Sequence, residues 1–204
     1  MLKRFALYPL VVFITFISLF AMAVHTPADT DLYWHLRTGQ YILETRSIPF
    51  ADPFSSTMLG QPWVDVSWLS QVILYLTYNA GGTALLALCV AALVMIAFIF
   101  IWKQMTGGVF LRAFVLILAA TTAAVVWTPR PHMATFVLTA VLSYILHLYK
   151  WKQIDRLWVV PLLFILWVNM HGGYIAGLMV LVAYLAGELI NNVLVRAGWV
   201  SPTG

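Results

Sequence analysis

The sequence contains little charge and a single cysteine. Only 9% of its 204 residues are charged, and Cys89 is its one cysteine. A lone cysteine excludes a disulfide within the chain and a cysteine metal cluster. The sequence also lacks a Walker motif and the glycine fingerprint of dinucleotide binding, which disfavours ATP-driven transport by this chain alone.

Apolar residues take the place of the missing charge. They make up 63% of the sequence, and the mean hydropathy is +0.93. Several apolar runs approach the roughly 20 residues that a helix needs to cross a bilayer. Because lipid offers no partner to unpaired backbone groups, such runs must be helical. The sequence therefore predicts an all-α integral membrane protein, with residues 1–204 in one membrane domain.

Polar segments and Gly/Pro-containing segments divide the apolar runs into about six transmembrane helices. We predict spans at residues 5–24, 83–102, 109–127, 133–149, 157–170 and 174–194, of which the fifth is short. Residues 25–82 would form a large first outer loop carrying interfacial helices, one of them a short apolar helix at residues 66–78. Residues 195–204 would form a cytoplasmic tail.

The first apolar run has two interpretations. It follows MLKR and ends in Ala21-Met22-Ala23, a pattern that also fits a secretory signal peptide. The run is longer and more aromatic than a usual signal sequence, which favours an uncleaved first span.

Basic residues are distributed unevenly between the predicted loops. With the N-terminus in the cytoplasm, eight of the eleven lysines and arginines fall on the cytoplasmic side, and only Arg37, Arg46 and Arg130 fall outside. This distribution agrees with the positive-inside rule. The pI of 9.3 therefore indicates a basic cytoplasmic rim and no nucleic-acid surface.

Acidic residues are concentrated in the first outer loop. Four of the seven acids lie within residues 25–56, namely Asp29, Asp31, Glu44 and Asp52. Pro27 is expected to stop the first span. Asp29 or Thr30 would then cap a helix that runs through Glu44, with Asp31 in its first turn. Capping and helix-dipole pairing would each explain one acid without any catalytic role.

A second interpretation of these acids comes from their spacing. Asp31 and His35 are four residues apart and share a helix face, and Asp29 at the helix start can point to the same side. Two carboxylates and an imidazole can activate a hydroxyl by general-base catalysis, with His35 in contact with substrate. The same groups can instead hold a divalent cation, with Asp29 and Asp31 as ligands.

Two later outer turns carry groups suited to binding an anion. The TPRPH turn holds Arg130 and His132, and the NMHGG turn holds Asn169 and His171. Acids, arginine and histidines at one border are expected where a membrane enzyme handles a phosphate, so we predict that these four residues bind substrate. A snorkelling arginine and a packing histidine are the simpler alternatives.

Glu188 is the one acid deep inside a predicted span. An unpaired acid there costs roughly 3 kcal/mol, so Glu188 must be neutral, paired or hydrated. A structural place in the bundle near Arg196 is the favoured interpretation. A proton-coupling role in a small transporter is the alternative, although the sequence lacks the expected repeat symmetry.

Longer segments of the sequence resemble a family of membrane enzymes. Similarity to bacterial glycosyltransferases of the GT-C type is carried by residues 29–55 and by the segments PWVDVSWLSQVILYL, RPHMATFVLTAVLSYILHLYK and WVVPLLFILWVNMHGGYIAG. Such enzymes use polyprenyl-phosphate sugars to glycosylate proteins, lipids or polysaccharides outside the cytoplasmic membrane. The resemblance extends to the order of parts, with one span, a large Asp-containing outer loop and then hairpins of spans.

The resemblance implies a site and a location. Asp31 or Asp29 would be the catalytic base or a metal-associated residue, with Asp31 preferred. Arg130, His132 and His171 would bind the lipid phosphate. The protein would lie in a bacterial cytoplasmic membrane, with its N-terminus in the cytoplasm and its site on the outer face. Membrane lipid and a polyprenyl-phosphate sugar donor would be its partners, and a divalent metal ion remains an open option as cofactor.

The sequence departs from the family in its extent. GT-C enzymes usually have more spans, whereas this sequence ends soon after the sixth predicted span. We therefore expect an amino-terminal module, a chain completed by another subunit, or a scaffold without the reaction. The alternative function is a non-catalytic structural subunit of a larger membrane complex, supported by small residues such as Gly173 and Gly177 that allow close helix packing.

Overall fold

The chain forms an all-helical structure in the part that the computed structural model describes. The described residues are 2–25 and 29–201, so Pro27, predicted to end the first span, lies outside them. The helices there are α1 (Leu2–Ala23), α2 (Leu32–Thr45), α3 (Trp68–Gln104), α4 (Val109–Ala123), α5 (His132–Lys152), α6 (Val159–Met170) and α7 (Tyr174–Arg196). The strand-like pairing in this part is limited to one isolated bridge between Ala51 and Pro62.

Four of the helices are long and apolar enough to cross a membrane. They span Trp68–Gln104, Val109–Val126, His132–Lys152 and Tyr174–Arg196. Leu7–Ala23 and Val159–Met170 are shorter apolar helices. At 1.5 Å per residue, α6 is roughly 18 Å long against a hydrocarbon thickness of about 30 Å. The all-α class is thus confirmed for the described residues, with four helices able to cross a membrane by length and composition, and the number of six spans stays a prediction.

The predicted break between the interfacial helix and the second span is confirmed at Gly81 and Gly82. The two helical parts of α3 follow one another directly, and the backbone departs from helical geometry at these two residues. Gly82 has φ 62° and ψ −156°, a conformation that residues with a side chain rarely adopt. The glycine pair therefore kinks the chain without a connecting loop.

The start of α2 also differs from the prediction. The helix begins at Leu32, so Asp31 occupies the N-cap position and does not lie in the first turn. The cap was expected at Asp29 or Thr30. Instead, Asp29 Oδ1 accepts a hydrogen bond of 3.0 Å from the Asp31 amide. This short aspartate turn delays the helix by one or two residues, and the Asp31 side chain makes no capping bond.

Two apolar clusters and one close backbone contact hold the helices together. The larger cluster joins α1, α3, α4 and α5 around Phe98 and Trp127, and a second joins α5, α6 and α7 around Trp167. α2 packs on the first part of α3 at Gly39. A Cβ added at Gly39 would lie 2.2 Å from the carbonyl oxygen of Gln71, so only glycine allows this approach.

The helix ends form two distinct faces of the bundle. The loop-bearing face contains α2 and the turns α4–α5 and α6–α7, which meet through contacts such as Trp68 with Asn169. The opposite face contains the turns α3–α4 and α5–α6, and there Lys150 pairs with Glu188. All the candidate site residues predicted from sequence lie on or near the loop-bearing face.

Candidate functional site

An ion cluster of one arginine and two aspartates lies at the loop-bearing face. Arg130 Nη2 is 2.5 Å from Asp29 Oδ1 and 2.7 Å from Asp31 Oδ2. The three residues come from positions about 100 residues apart, in the turn before α5 and the segment before α2. Only 8% of the Asp29 side chain is exposed, against 51% for Asp31. One carboxylate is therefore enclosed and the other faces outward.

The turn between α4 and α5 holds Arg130 in place. Its amide donates to the Thr128 carbonyl at 2.7 Å, and its own carbonyl accepts from the Met133 amide at 3.1 Å. Pro131 follows as the N-cap residue of α5. A proline on each side of Arg130 restricts the backbone, so the backbone that carries the guanidinium has little conformational freedom.

The charges of the cluster stabilise one another. Burial raises the pKa of Asp29, but hydrogen bonds from Arg130, from the Asp31 amide and from Thr128 outweigh it and hold that pKa below its usual range. The hydrogen bond to Asp29 in turn raises the pKa of Arg130. Both partners stay charged at neutral pH. Two carboxylates against one guanidinium leave one negative charge in excess.

A cleft opens beside the cluster. Its volume is about 480 Å³, and its wall includes His25, Asp29, Thr30, Thr128, Arg130 and His132. His132 Nε2 donates to the Val126 carbonyl at 2.7 Å, which orients the ring at the cleft wall. The structure therefore brings Asp29, Arg130 and His132 to one opening, with Asp31 joined to them through Arg130.

His35 lies beneath this cluster and does not line the cleft. It is 8% exposed, and Gln71 Nε2 lies 3.4 Å from its Nδ1. Burial, with a smaller effect of the Arg130 charge, lowers the pKa of His35 from 6.5 to about 4. The predicted trio of Asp29, Asp31 and His35 is thus close in space, but His35 is a neutral buried neighbour of the ion cluster.

Gln71 and Asp65 belong to the same network and were not predicted from sequence. Gln71 is fully buried, and its Nε2 donates to Asp65 Oδ1 at 3.1 Å. Burial raises the pKa of Asp65 above its usual range, against hydrogen bonds from the Ser67 amide and Gln71. A glutamine placed early in an apolar helix is the sequence signal that could have indicated a buried polar contact.

His171 is fixed by a separate chain of hydrogen bonds. Trp167 Nε1 donates to Thr135 Oγ1 at 2.9 Å, and the Thr135 hydroxyl lies 2.8 Å from His171 Nδ1. Because the Gly173 amide also donates to Nδ1, at 3.1 Å, this nitrogen is an acceptor. The neutral ring therefore carries its proton on Nε2. Burial lowers the pKa of His171, and neighbouring His132, with ring centroids 6.5 Å apart, adds to the effect.

Asn169 has structural partners on both sides of its amide. Its Oδ1 accepts from Trp68 Nε1 at 3.0 Å, and its Nδ2 donates to the Ile165 carbonyl at 2.8 Å. Ser70 reinforces the contact by donating to the Met170 carbonyl at 2.7 Å. The amide of Asn169 thus ties α6 to α3, and its predicted contact with substrate stays a prediction.

Arg130 lies between Asp29 and Asp31, the two residues that were predicted as possible ligands of a divalent cation. Within residues 2–25 and 29–201, no group of three or more His, Cys, Asp or Glu side chains is placed to hold a metal ion. Glu188, the acid inside a predicted span, pairs with Lys150 of α5 and so lies at the opposite face.

Comparison of the chain with protein-family models, with curated proteins and with solved structures finds no match. The geometry of the loop-bearing face therefore carries the functional argument.

Proposed function

We propose that this chain is a GT-C-like membrane glycosyltransferase, or the amino-terminal module of one. It transfers a sugar from a polyprenyl-phosphate donor at the outer face of a bacterial cytoplasmic membrane. The observation that carries the proposal is the contact of Arg130 with both Asp29 and Asp31 beside an open cleft. In this proposal α1 and α6 also cross the bilayer, giving six spans and placing the loop-bearing face outside.

The unequal exposure of the two aspartates supports different roles for them. Asp31 is half exposed and acts as the general base that removes the proton of the acceptor hydroxyl. Asp29 is enclosed, bound by Arg130 and by the Asp31 amide, and positions both neighbours. Because the cluster has two carboxylates and one guanidinium, Asp31 can act as the base while Asp29 stays paired with Arg130.

Arg130 is the group suited to the lipid phosphate. One third of its side chain is exposed, so part of the guanidinium can contact an anion while Asp29 retains it. A guanidinium binds phosphate oxygens through paired hydrogen bonds and offsets the charge that develops on a leaving phosphate. The Nε2 proton of His171 provides a further donor. His132 lines the cleft wall, where its Nε2 is held by the Val126 carbonyl and its Nδ1 is left to accept.

The reaction follows from these positions. The acceptor oxygen, deprotonated by Asp31, forms a bond to the anomeric carbon of the sugar. The bond from that carbon to the phosphate oxygen breaks, and the polyprenyl phosphate leaves with the electron pair beside Arg130. One displacement inverts the anomeric centre. The proton remains on Asp31 until it passes to water.

The test combines transfer and binding in phospholipid nanodiscs. Asp31→Asn should abolish sugar transfer from polyprenyl-phosphate donors, whereas Asp155→Asn, at the opposite face, should leave it intact. Polyprenyl phosphate detected by native mass spectrometry should be lost in Arg130→Ala and kept in Arg46→Ala, an exposed arginine of the loop-bearing face. Transfer that survives Asp29→Ala and Asp31→Ala together would rule out the proposed mechanism.

A structural subunit is the second candidate, and α7 is the observation that favours it. Large apolar side chains cover α7 and are exposed, among them Met179 at 62%, Val182 at 65% and Leu189 at 66%. Such a surface suits lipid or the helices of a neighbouring subunit. Partner chains at a fixed ratio in the same mass spectra, without bound polyprenyl phosphate, would favour this second function.

A further inference from the structure

A second pocket lies in the loop between α2 and α3, apart from the ion cluster. This loop pocket has a volume of about 460 Å³, and Trp34, Asp52, Phe54, Ser55, Gln61 and Trp63 are among the residues that line it. Its size falls within the roughly 300–1,000 Å³ of small-molecule sites. The mechanism proposed above uses none of these side chains.

The loop is shaped by a short ribbon and by Asp52. The Asp52 amide donates to the Gln61 carbonyl, and the Trp63 amide donates to the Phe50 carbonyl, each at 2.9 Å. Asp52 Oδ1 accepts from the amides of Phe54 and Ser55, and its Oδ2 accepts from the Ser55 hydroxyl. These bonds keep the pocket formed in the absence of a ligand.

The aromatic rings form a continuous wall and not a cage. The ring centroids of Trp34 and Trp63 are 5.9 Å apart, and those of Phe54 and Trp63 are 6.4 Å apart. Rings in mutual contact leave no room for a cation between opposed faces, the arrangement that recognises quaternary ammonium groups. Arg37 also lies 5.8 Å over the Phe54 ring, which repels a cationic ligand.

The polar groups around this wall suit hydroxyl groups. A carboxylate offers about four acceptor positions, of which Asp52 uses three, so one remains. The Gln61 side chain is exposed and provides both a donor and an acceptor. An apolar wall with mixed donors and acceptors at its edge fits a ligand that has one apolar face and hydroxyl groups around it.

We propose that the loop pocket binds a carbohydrate, stacked on Trp34 and Trp63 with its hydroxyl groups toward Asp52 and Gln61. Trp34 lies in the first turn of α2, three residues beyond the N-cap residue Asp31, so the Cβ atoms of the two residues are roughly 5–6 Å apart. A sugar in the pocket extends toward the exposed carboxylate. The assignment of this sugar as the acceptor rests on the proposed function, whereas its binding does not.

The experiment measures sugar binding directly. The full chain is placed in phospholipid nanodiscs free of glycoside detergents, which would compete for the pocket. Saturation-transfer NMR is recorded with the methyl glycosides of glucose, galactose, mannose and N-acetylglucosamine and with maltose. At least one of these probes should bind with millimolar affinity. Gln61→Ala and Trp63→Ala should each weaken it about tenfold or more, and Trp151→Ala, at the opposite face, should not.

Each outcome decides the proposal. Absence of binding for every probe, or binding unchanged in Gln61→Ala and Trp63→Ala, overturns it. If Trp63→Ala does not fold, Gln61→Ala decides, because that side chain is exposed and its backbone bond is kept. Asp31→Asn should bind the sugar normally while losing transfer. Binding without transfer in the unmodified protein refutes only the proposed function, and transfer without pocket-dependent binding refutes only the present proposal.

Discussion

The two faces of the bundle each carry a charged cluster, but the clusters are built differently. At the opposite face, Lys150 pairs with Glu188 one to one, and its ammonium group lies over the rings of Trp151 and Tyr184 at 5.3 and 5.9 Å. At the loop-bearing face, Arg130 forms ion pairs with two carboxylates, those of Asp29 and Asp31.

The difference separates a structural ion pair from a chemically usable one. The pair of Lys150 and Glu188, which joins α5 to α7, carries no net charge. The Arg130 cluster keeps one negative charge in excess and exposes half of the carboxylate that carries it. Buried polar residues also surround the Arg130 cluster, with His35 and Gln71 beneath it. Four predictions test this contrast, beginning with the largest expected effect.

Gly39 provides the strongest test, because the loop-bearing face depends on its close backbone contact. Gly39→Ala places a methyl group 2.2 Å from the Gln71 carbonyl oxygen and should lower the free energy of unfolding by about 3 kcal/mol. Gly187→Ala on α7 is the matched control, since nothing lies within 4 Å of the added Cβ. It should be neutral or stabilise the helix by up to about 1 kcal/mol. Thermal unfolding in nanodiscs compares the two, and equal melting temperatures would contradict the α2–α3 contact.

Acidification should weaken the loop-bearing face through His35. The folded protein keeps His35 neutral down to about pH 4, whereas the unfolded chain protonates it near 6.5. The unfolded state therefore binds more protons in this window, and stability falls with pH at roughly 1.4 kcal/mol per unit. Between about pH 6 and pH 4.5 the contribution of His35 is about 2 kcal/mol.

The contribution of His35 is isolated by difference. The lowered pKa of Asp29 stabilises the folded state above pH 3.8, which is the pKa of Asp29 in the unfolded chain. This stabilisation is lost only as the pH falls further. Asp65, whose pKa is raised, gains stability on acidification, and His171 acts in the same direction as His35. Unfolding curves of His35→Asn should therefore show a shallower decline with falling pH than those of the unmodified protein. An unchanged decline in His35→Asn would contradict the burial of a neutral imidazole.

Removal of each cation compares the two clusters directly. Arg130→Ala leaves Asp29 enclosed without its charged donor and should cost about 1.5 kcal/mol at neutral pH. Lys150→Ala breaks a pair of partly exposed side chains and should cost less than about 1 kcal/mol. The cost of Arg130→Ala should shrink as pH falls through the range where Asp29 protonates, because the neutral acid no longer needs a charged donor. A larger loss at Lys150 than at Arg130 would contradict the expectation that the more enclosed Asp29 depends more on its cation.

The sequence was sufficient to predict the helical class and the grouping of the site residues at one face. Length and apolar content specify helices in lipid, and alternating helix direction brings every second turn to the same side. For this reason Asp29, Asp31, Arg130 and His132 could be assigned to one border. That Arg130 contacts both aspartates could not be predicted, because it depends on how α1, α2 and α5 pack.

Local geometry accounts for what the sequence did not indicate. The aspartate turn at Asp29 shifted the start of α2, a feature that periodicity and hydropathy do not encode. The break in α3 at Gly81 and Gly82, in contrast, follows from the glycine pair itself. Asn169 was predicted as a ligand from its place in a turn, but its amide is used by Trp68, a residue about 100 positions away. Such long-range partners decide whether a polar side chain is available to a substrate.

The smallest expected effect is that of a substitution at Thr135. It tests whether hydrogen bonds between side chains stabilise the loop-bearing face in addition to its ion pairs. Thr135→Val leaves the buried Trp167 Nε1 without an acceptor and should cost about 1 kcal/mol. Thr139→Val, one turn along α5, removes only a bond to the Thr135 carbonyl and should cost less.

Nitrogen NMR of the His171 ring provides the second measurement, because the Thr135 hydroxyl and the Gly173 amide both donate to Nδ1. Thr135→Val should shift the Nδ1 resonance, because one of its two donors is lost, while the Gly173 amide keeps the proton on Nε2; Thr139→Val should leave the resonance unchanged. An unchanged Nδ1 resonance in Thr135→Val would contradict the hydrogen bond between Thr135 and His171.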